Sequence, residues 1–153
     1  MSLIQKTIND LGVDFKDFEL EITEGVLMGG QRYIKDALLE INSLGIKLSM
    51  DDFGTGYSSL SYLRQYNFDI LKIDRSFING ITINKSDCDL VKATIAMSHS
   101  LGLLVVAEGV ETKEQLVLLK QLGCDFVQGY YLSKPIAGEQ LIGINADVDF
   151  KVN

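Results

Sequence analysis

Apolar residues along the chain follow two periods. They recur every three or four positions at Ile34, Leu38 and Ile41 and at Leu116, Leu119 and Leu122, and more loosely at Leu90, Ile95 with Thr94, and Leu101, each set predicting a helix with one apolar face. Between and around these sets lie short β-rich runs: FELEIT over 18–23, IKLSMDD over 46–52, ILKID over 70–74, LLVVAEG over 103–109 and CDFVQG over 124–129. The helical stretches close on Leu44-Gly45, Leu101-Gly102 and Leu122-Gly123, where glycine supplies the left-handed stop. Thr112 and Gln115 spell a capping box at the start of the third helix.

Strands that alternate with helices pair in parallel through right-handed crossovers, so their C-terminal tips lie on one edge. Those tips carry Glu21, then Asp51 with Asp52, Lys72 with Asp74, Glu108 and Gln128. Any one of them alone is an ordinary solvated strand end. Five in succession predict a convergent polar site on an α/β fold of about five parallel strands. The run DDFGTGYSSL over 51–60 is the most telling of them. Adjacent carboxylates at a strand tip are the ligands a Mg²⁺-type ion needs, and Gly54 and Gly56 allow a sharp turn beneath it.

Composition narrows the function. With 153 residues, 46% hydrophobic and 23% charged, the chain can bury one core and is expected to form one domain without a disordered arm. A net charge of −7 repels a phosphate backbone, which argues against non-specific binding to nucleic acid polymers and means that an anionic substrate would need bound cations. No apolar run approaches the roughly 20 residues of a spanning helix, and no signal peptide opens the chain, so the segment is expected to be cytoplasmic and free of membrane contact. Cys88 and Cys124 lack metal-site spacing and read as reduced thiols. His99 sits on a helix far from any strand tip and reads as a surface or boundary residue, while Tyr130 and Tyr131 read as strand packing. Met1-Ser2-Leu3 reads as a cloning remnant.

Taken together, Glu21-Ile22-Thr23-Glu24, DDFGTGYSSL, Lys72-Ile73-Asp74-Arg75-Ser76-Phe77, Ala107-Glu108-Gly109-Val110-Glu111-Thr112, and Gln128-Gly129-Tyr130 with Ser133-Lys134-Pro135 resemble the EAL-domain family of cyclic-di-GMP phosphodiesterases. The resemblance runs from about Leu20 to Pro135. It implies a TIM-type barrel, whose full form takes about 250 residues and eight strands, so the chain is expected to be a partial barrel. The corresponding organisation is an N-terminal helix and turn over 1–17, partly a cloning remnant, a partial barrel over 18–145 and a tail over 146–153. Neither the Glu-Ala-Leu signature nor the family's metal-binding Asn occurs ahead of Glu21. Gly25 stands where Ser is commoner, which leaves the carboxylates intact.

The resemblance further implies two Mg²⁺ or Mn²⁺ ions, with Glu21 and Asp51 on the first and Asp52 on the second, and hydrolysis of cyclic-di-GMP to linear 5′-phosphorylated pGpG. Lys72 would orient the attacking water, Glu108 would act as general base or a further metal contact, Gln128 would lie at the substrate edge, and Glu24 would pin the Gly54–Gly56 loop. From the residues themselves, Lys72 could instead pair with Asp74, Asp74 reads first as a cap of the following turn, and Glu111 is either a first-turn helix carboxylate or an organiser of the site. With two ligands absent, the segment is expected to be weakly active or inactive by itself. The alternative is a non-catalytic domain that binds cyclic-di-GMP or a protein partner. A five-strand sheet is also expected to have raw edges at the first and last strands and a bare apolar lining of Leu48, Met50, Leu71, Ile73, Val105 and Val127, which predicts a homo-oligomer.

Overall fold

A computed structural model describes residues 3–28, 32–54 and 60–141. Five parallel strands alternate with helices along these segments, the expected α/β arrangement. The chain divides into two compact units, with the boundary between Ile70 and Leu71.

The first unit begins with α1 (Leu3–Leu11) and a single 3₁₀ turn (Phe15–Asp17) whose N-cap, Asp14, accepts from Lys16 N at 3.0 Å. β1 (Glu19–Thr23) then pairs in parallel with β2 (Lys47–Phe53), with Glu21 opposite Ser49 and Thr23 opposite Asp51. Between them come α2 (Glu24–Met28) and α3 (Arg32–Ser43), and α4 (Leu60–Gln65) follows β2. β1 alternates as a half-buried strand should, with Glu19, Glu21 and Thr23 exposed and Ile22 buried. Its apolar side joins a core that includes Leu27, Leu38, Leu48 and Met50. Complete burial of a residue such as Leu48 contributes roughly 1.5–3 kcal/mol.

The second unit contains β3 (Ile70–Ile73) from its second residue on, α5 (Arg75–Asn79), α6 (Lys85–Ser100), β4 (Leu104–Glu108), α7 (Lys113–Gln121) and β5 (Phe126–Gln128). β3 neighbours β4, and β4 runs parallel to β5 with Val106 opposite Phe126 and Glu108 opposite Gln128. The expected capping box is present, with Thr112 as N-cap of α7 and Gln115 bonded reciprocally to it. The Leu-Gly stops also take left-handed φ values, 86° at Gly45, 77° at Gly102 and 81° at Gly123.

Two expectations fail in detail. Of the expected face of α6, Ile95 is buried but Leu90 and Leu101 are exposed, and Val91 and Ser98 complete the buried stripe with Ile95 at i, i+4 and i+7. The bare lining is also misassigned. Leu48, Met50, Leu71, Ile73 and Val105 are all buried, and Val127 is half-buried, whereas Leu104 and Phe126 are 39% and 52% exposed. Alternation explains the second error: Leu104 and Val106 share the side of Glu108, while Val105 and Ala107 take the other.

Two carboxylates use one device that the periodicity did not reveal. Asp69 stands immediately before β3 and accepts from Leu48 N at 2.9 Å, and Asp125 stands immediately before β5 and accepts from Val105 N at 2.8 Å. Each satisfies a strand N–H that would otherwise be buried without a partner. Asp125 Oδ2 also lies 2.8 Å from His99 Nε2, which gives the boundary histidine a structural place.

Candidate active site

Parallel pairing puts Glu21 and Asp51 on the same face of the first unit, because Glu21 is in register with Ser49 and Asp51 follows two positions later on β2. Strict strand alternation would send Asp52 to the opposite face. Instead Asp52, alone among the described non-glycine residues, has a positive φ, 57°. That left-handed step costs on the order of 1 kcal/mol and is tolerated best by Asn and Asp, and it breaks the alternation at the tip of β2. Glu24, the first residue of α2, is 5% exposed. Gly54 follows in the same turn with φ 98°, while Gly56 lies outside the described residues, as does the rest of the loop over 55–59.

In the second unit, two ion pairs lie at and just beyond the ends of β3 and β4. Lys72 Nζ is 2.6 Å from Glu108 Oε1, with the two side chains 5% and 20% exposed. A lysine this deeply buried needs partners for its charge, and Glu108 is one. Three residues further along each segment, Arg75 Nη2 is 2.7 Å from Glu111 Oε1 in a more exposed pair. Lys72 therefore pairs with Glu108, not Asp74. The Asp74 carboxylate instead caps α5, accepting from Ser76 N at 2.9 Å and Ser76 Oγ at 2.5 Å. Donation by the Ser76 hydroxyl holds the Asp74 carboxyl below its usual 3.8.

Two glycines hold these elements together by allowing close approach. A Cβ on Gly109, whose φ is 70°, would meet Arg75 Cγ at 2.3 Å, so the Arg75 side chain passes directly over the residue that follows Glu108. A Cβ on Gly129 would meet Val110 O at 2.2 Å and Val110 N at 2.3 Å. There the chain continues the β4–β5 pairing, with Val110 N donating to Gln128 O and Tyr131 N to Val110 O. Gln128 itself is exposed at the end of β5, opposite Glu108. Tyr130 and Tyr131 lie beyond the strand, 56% and 41% exposed, and so do not pack as strand residues; Lys134 Nζ sits 5.7 Å from the Tyr130 ring centroid.

Sequence reasoning missed Arg75 as part of this arrangement. The signal was available: Lys72 and Arg75 have the same three-residue spacing as Glu108 and Glu111, with opposite charge. Cys124 is excluded as a nucleophile because burial pushes its thiol up to about 12.

Glu21, Asp51 and Asp52 offer only hard oxygen donors, the chemistry that suits Mg²⁺ or Mn²⁺. Among the described residues no three His, Cys, Asp or Glu side chains gather closely enough to hold a metal ion. The three carboxylates thus suit such an ion in the kind of donor they offer, without forming a ready three-ligand site among the described residues.

Residues 1–135 match the family model described as EAL domain. Cyclic di-GMP phosphodiesterase NbdA of Pseudomonas aeruginosa is 45% identical over 133 residues, which cover 87% of this chain and 17% of that protein. The chain thus spans about a sixth of the curated relatives it matches. Among solved structures, the cyclic-di-GMP complex of the MucR phosphodiesterase of Pseudomonas aeruginosa superposes with a TM-score of 0.85 at 38% identity, covering 90% of this chain and 56% of that one. The manganese and cyclic-di-GMP complex of Klebsiella pneumoniae BlrP1 gives 0.81 at 31% identity, covering 86% of this chain and 34% of that one. These structures are EAL domains, which have the TIM-barrel fold and are metal-dependent. No helix among the described residues is long and apolar enough to cross a membrane.

Proposed function

The chain belongs to the EAL-domain family, and from that premise we propose that it is part of a metal-dependent phosphodiesterase that hydrolyses cyclic-di-GMP to linear pGpG in bacterial second-messenger signalling. The observation that carries this reading is the Lys72–Glu108 pair, a nearly buried ammonium 2.6 Å from a carboxylate at adjacent strand ends. Such a pair adds little net stability over apolar side chains of similar size, which favours retention for chemistry.

Glu21, Asp51 and Asp52 would hold Mg²⁺ or Mn²⁺, with a second ion expected in the complete domain. Bound there, the cations would supply charge against the phosphodiester and acidify a coordinated water. Glu108 accepts a proton as general base through the carboxylate oxygen that Lys72 does not engage, and Lys72 holds that carboxylate in place at Oε1 and favours the hydroxide that forms. Gln128 meets the substrate at the end of β5. Asp74 and Glu111 support the site from the starts of α5 and α7, and Glu24 supports the loop that follows Asp52.

Incubation of the full-length protein with cyclic-di-GMP and Mn²⁺ or Mg²⁺, followed by chromatography, tests the reading. Appearance of pGpG supports it. Calorimetric binding without turnover would replace it with a non-catalytic cyclic-di-GMP-binding domain. We place the segment in the cytoplasm, where free thiols such as Cys88 and Cys124 persist. Self-association through the exposed Leu104 and Phe126 and the edge of β5 is part of the same proposal. A monomer by sedimentation at micromolar concentration would overturn that part.

A further inference from the structure

Gln115 makes more bonds than its capping role requires. The side chain is buried at 5% exposure. Its Oε1 accepts from Thr112 N at 3.0 Å, as in any capping box, and also from Glu111 N at 2.8 Å. Its Nε2 donates to Ile78 O at 3.1 Å, a buried bond that reaches from α7 to α5 across 37 positions of sequence. Of its three side-chain bonds, only the one to Thr112 belongs to the cap.

The other two fix a short path to the Lys72–Glu108 pair. The bond to Ile78 O fixes α5, whose first residue is Arg75, and the bond to Glu111 N fixes the segment leading away from Glu108. Arg75 and Glu111 then close on each other at 2.7 Å. The Arg75 stem lies over Gly109 so closely that even a methyl group would not fit. Gly109 is bonded covalently to Glu108, which meets Lys72 at 2.6 Å.

We propose that Gln115 is a positioning residue, which ties α5 to the Gly109–Thr112 segment and so sets how Glu108 stands against Lys72. The proposal rests on the reading of that pair as the proton-handling part of a phosphodiesterase. Displacement of a reacting group by about 1 Å can cost on the order of 100-fold in rate, and loss of a supporting hydrogen bond about tenfold or more.

Three variants of the full-length protein separate positioning from capping. Gln115→Glu keeps an oxygen for Glu111 N and Thr112 N but loses the N–H given to Ile78 O. Gln115→Ala loses all three bonds. Thr112→Ala removes the hydroxyl that accepts from Gln115 N at 3.2 Å and touches neither of the two extra bonds. With cyclic-di-GMP and Mn²⁺, the expected result is a kcat about tenfold lower in Gln115→Glu and Gln115→Ala with KM within about twofold, while Thr112→Ala melts earlier yet keeps its kcat. Nuclear magnetic resonance of the Arg75 guanidinium provides a readout independent of activity: hindered rotation in the parent is expected to become free in Gln115→Glu. A Gln115→Glu protein that matches the parent in both readouts overturns the proposal, as does a Thr112→Ala protein whose kcat falls as far as that of Gln115→Ala. If Gln115→Ala fails to fold, Gln115→Glu decides. If the parent itself does not hydrolyse cyclic-di-GMP, the function reading fails, and the Arg75 signal alone decides positioning: free rotation in Gln115→Glu sustains it and hindered rotation refutes it.

Discussion

Removing either member of the Lys72–Glu108 pair should cost stability unequally, and removing both should restore most of it. Lys72→Met leaves Glu108 as a carboxylate that is 20% exposed and able to draw water to itself. Glu108→Leu leaves an ammonium that is 5% exposed, with little access to water. Leaving a buried charge uncompensated typically costs about 3–5 kcal/mol, which is the upper bound for Glu108→Leu, and Lys72→Met should cost less, about 2 kcal/mol. The double variant replaces both charges with apolar groups of similar size and should lie within about 1 kcal/mol of the parent. In a protein of this length about 3 kcal/mol corresponds to a melting shift of about 6–12 °C, well within reach of calorimetry or circular dichroism. A double-mutant cycle over the four proteins isolates the coupling. Additivity of the two single changes to within about 0.5 kcal/mol would refute the pair as the reason a lysine is buried there.

Further consequences follow from the neighbouring geometry. Gly129→Ala should push apart the extension of β4 and β5, because its Cβ would fall 2.2 Å from Val110 O, costing about 1–3 kcal/mol and exposing the Val110 and Tyr131 amides to faster hydrogen exchange. Asp125→Ala and Asp69→Ala should each cost about 1–3 kcal/mol in denaturant titration, since each leaves a strand N–H, Val105 or Leu48, without its carboxylate acceptor. Ser76→Ala should raise the Asp74 carboxyl back toward 3.8, seen in its ¹³C titration. Because Asp74 is depressed in the folded state, its contribution is present above 3.8 and is lost as pH falls through the lower folded value; the variant should lose the part of that pH dependence that the hydroxyl supplies, the largest single part.

The fold was legible because its signals are local. Leu-Gly stops, a capping box and β-rich runs each report on a few adjacent residues, and the structure places all five strands where those runs occur. Which side of a strand is covered is a tertiary matter, so Leu104 and Phe126 could not be distinguished from Val105 and Leu71 by apolarity alone. Glu108 could have served as the reference, since alternation from that polar tip assigns Leu104 and Val106 to its side. For the site, strand-tip chemistry marked Lys72 and Glu108 individually, but their pairing depends on the neighbouring of β3 and β4. Gln115 was legible as a cap through its spacing from Thr112; its bond to Ile78 O joins residues too distant for any pattern to relate. The positive φ of Asp52 left no sequence signal beyond Asp being one of the few residues that tolerate it.

The most direct test of the central claim is the turnover of cyclic-di-GMP by the full-length protein carrying Glu108→Gln, beside the parent, at saturating substrate and Mn²⁺. General-base catalysis contributes about 10²–10⁴-fold, so the account predicts that pGpG formation falls by at least about 100-fold in a variant that still binds the dinucleotide. Turnover within about twofold of the parent would contradict it.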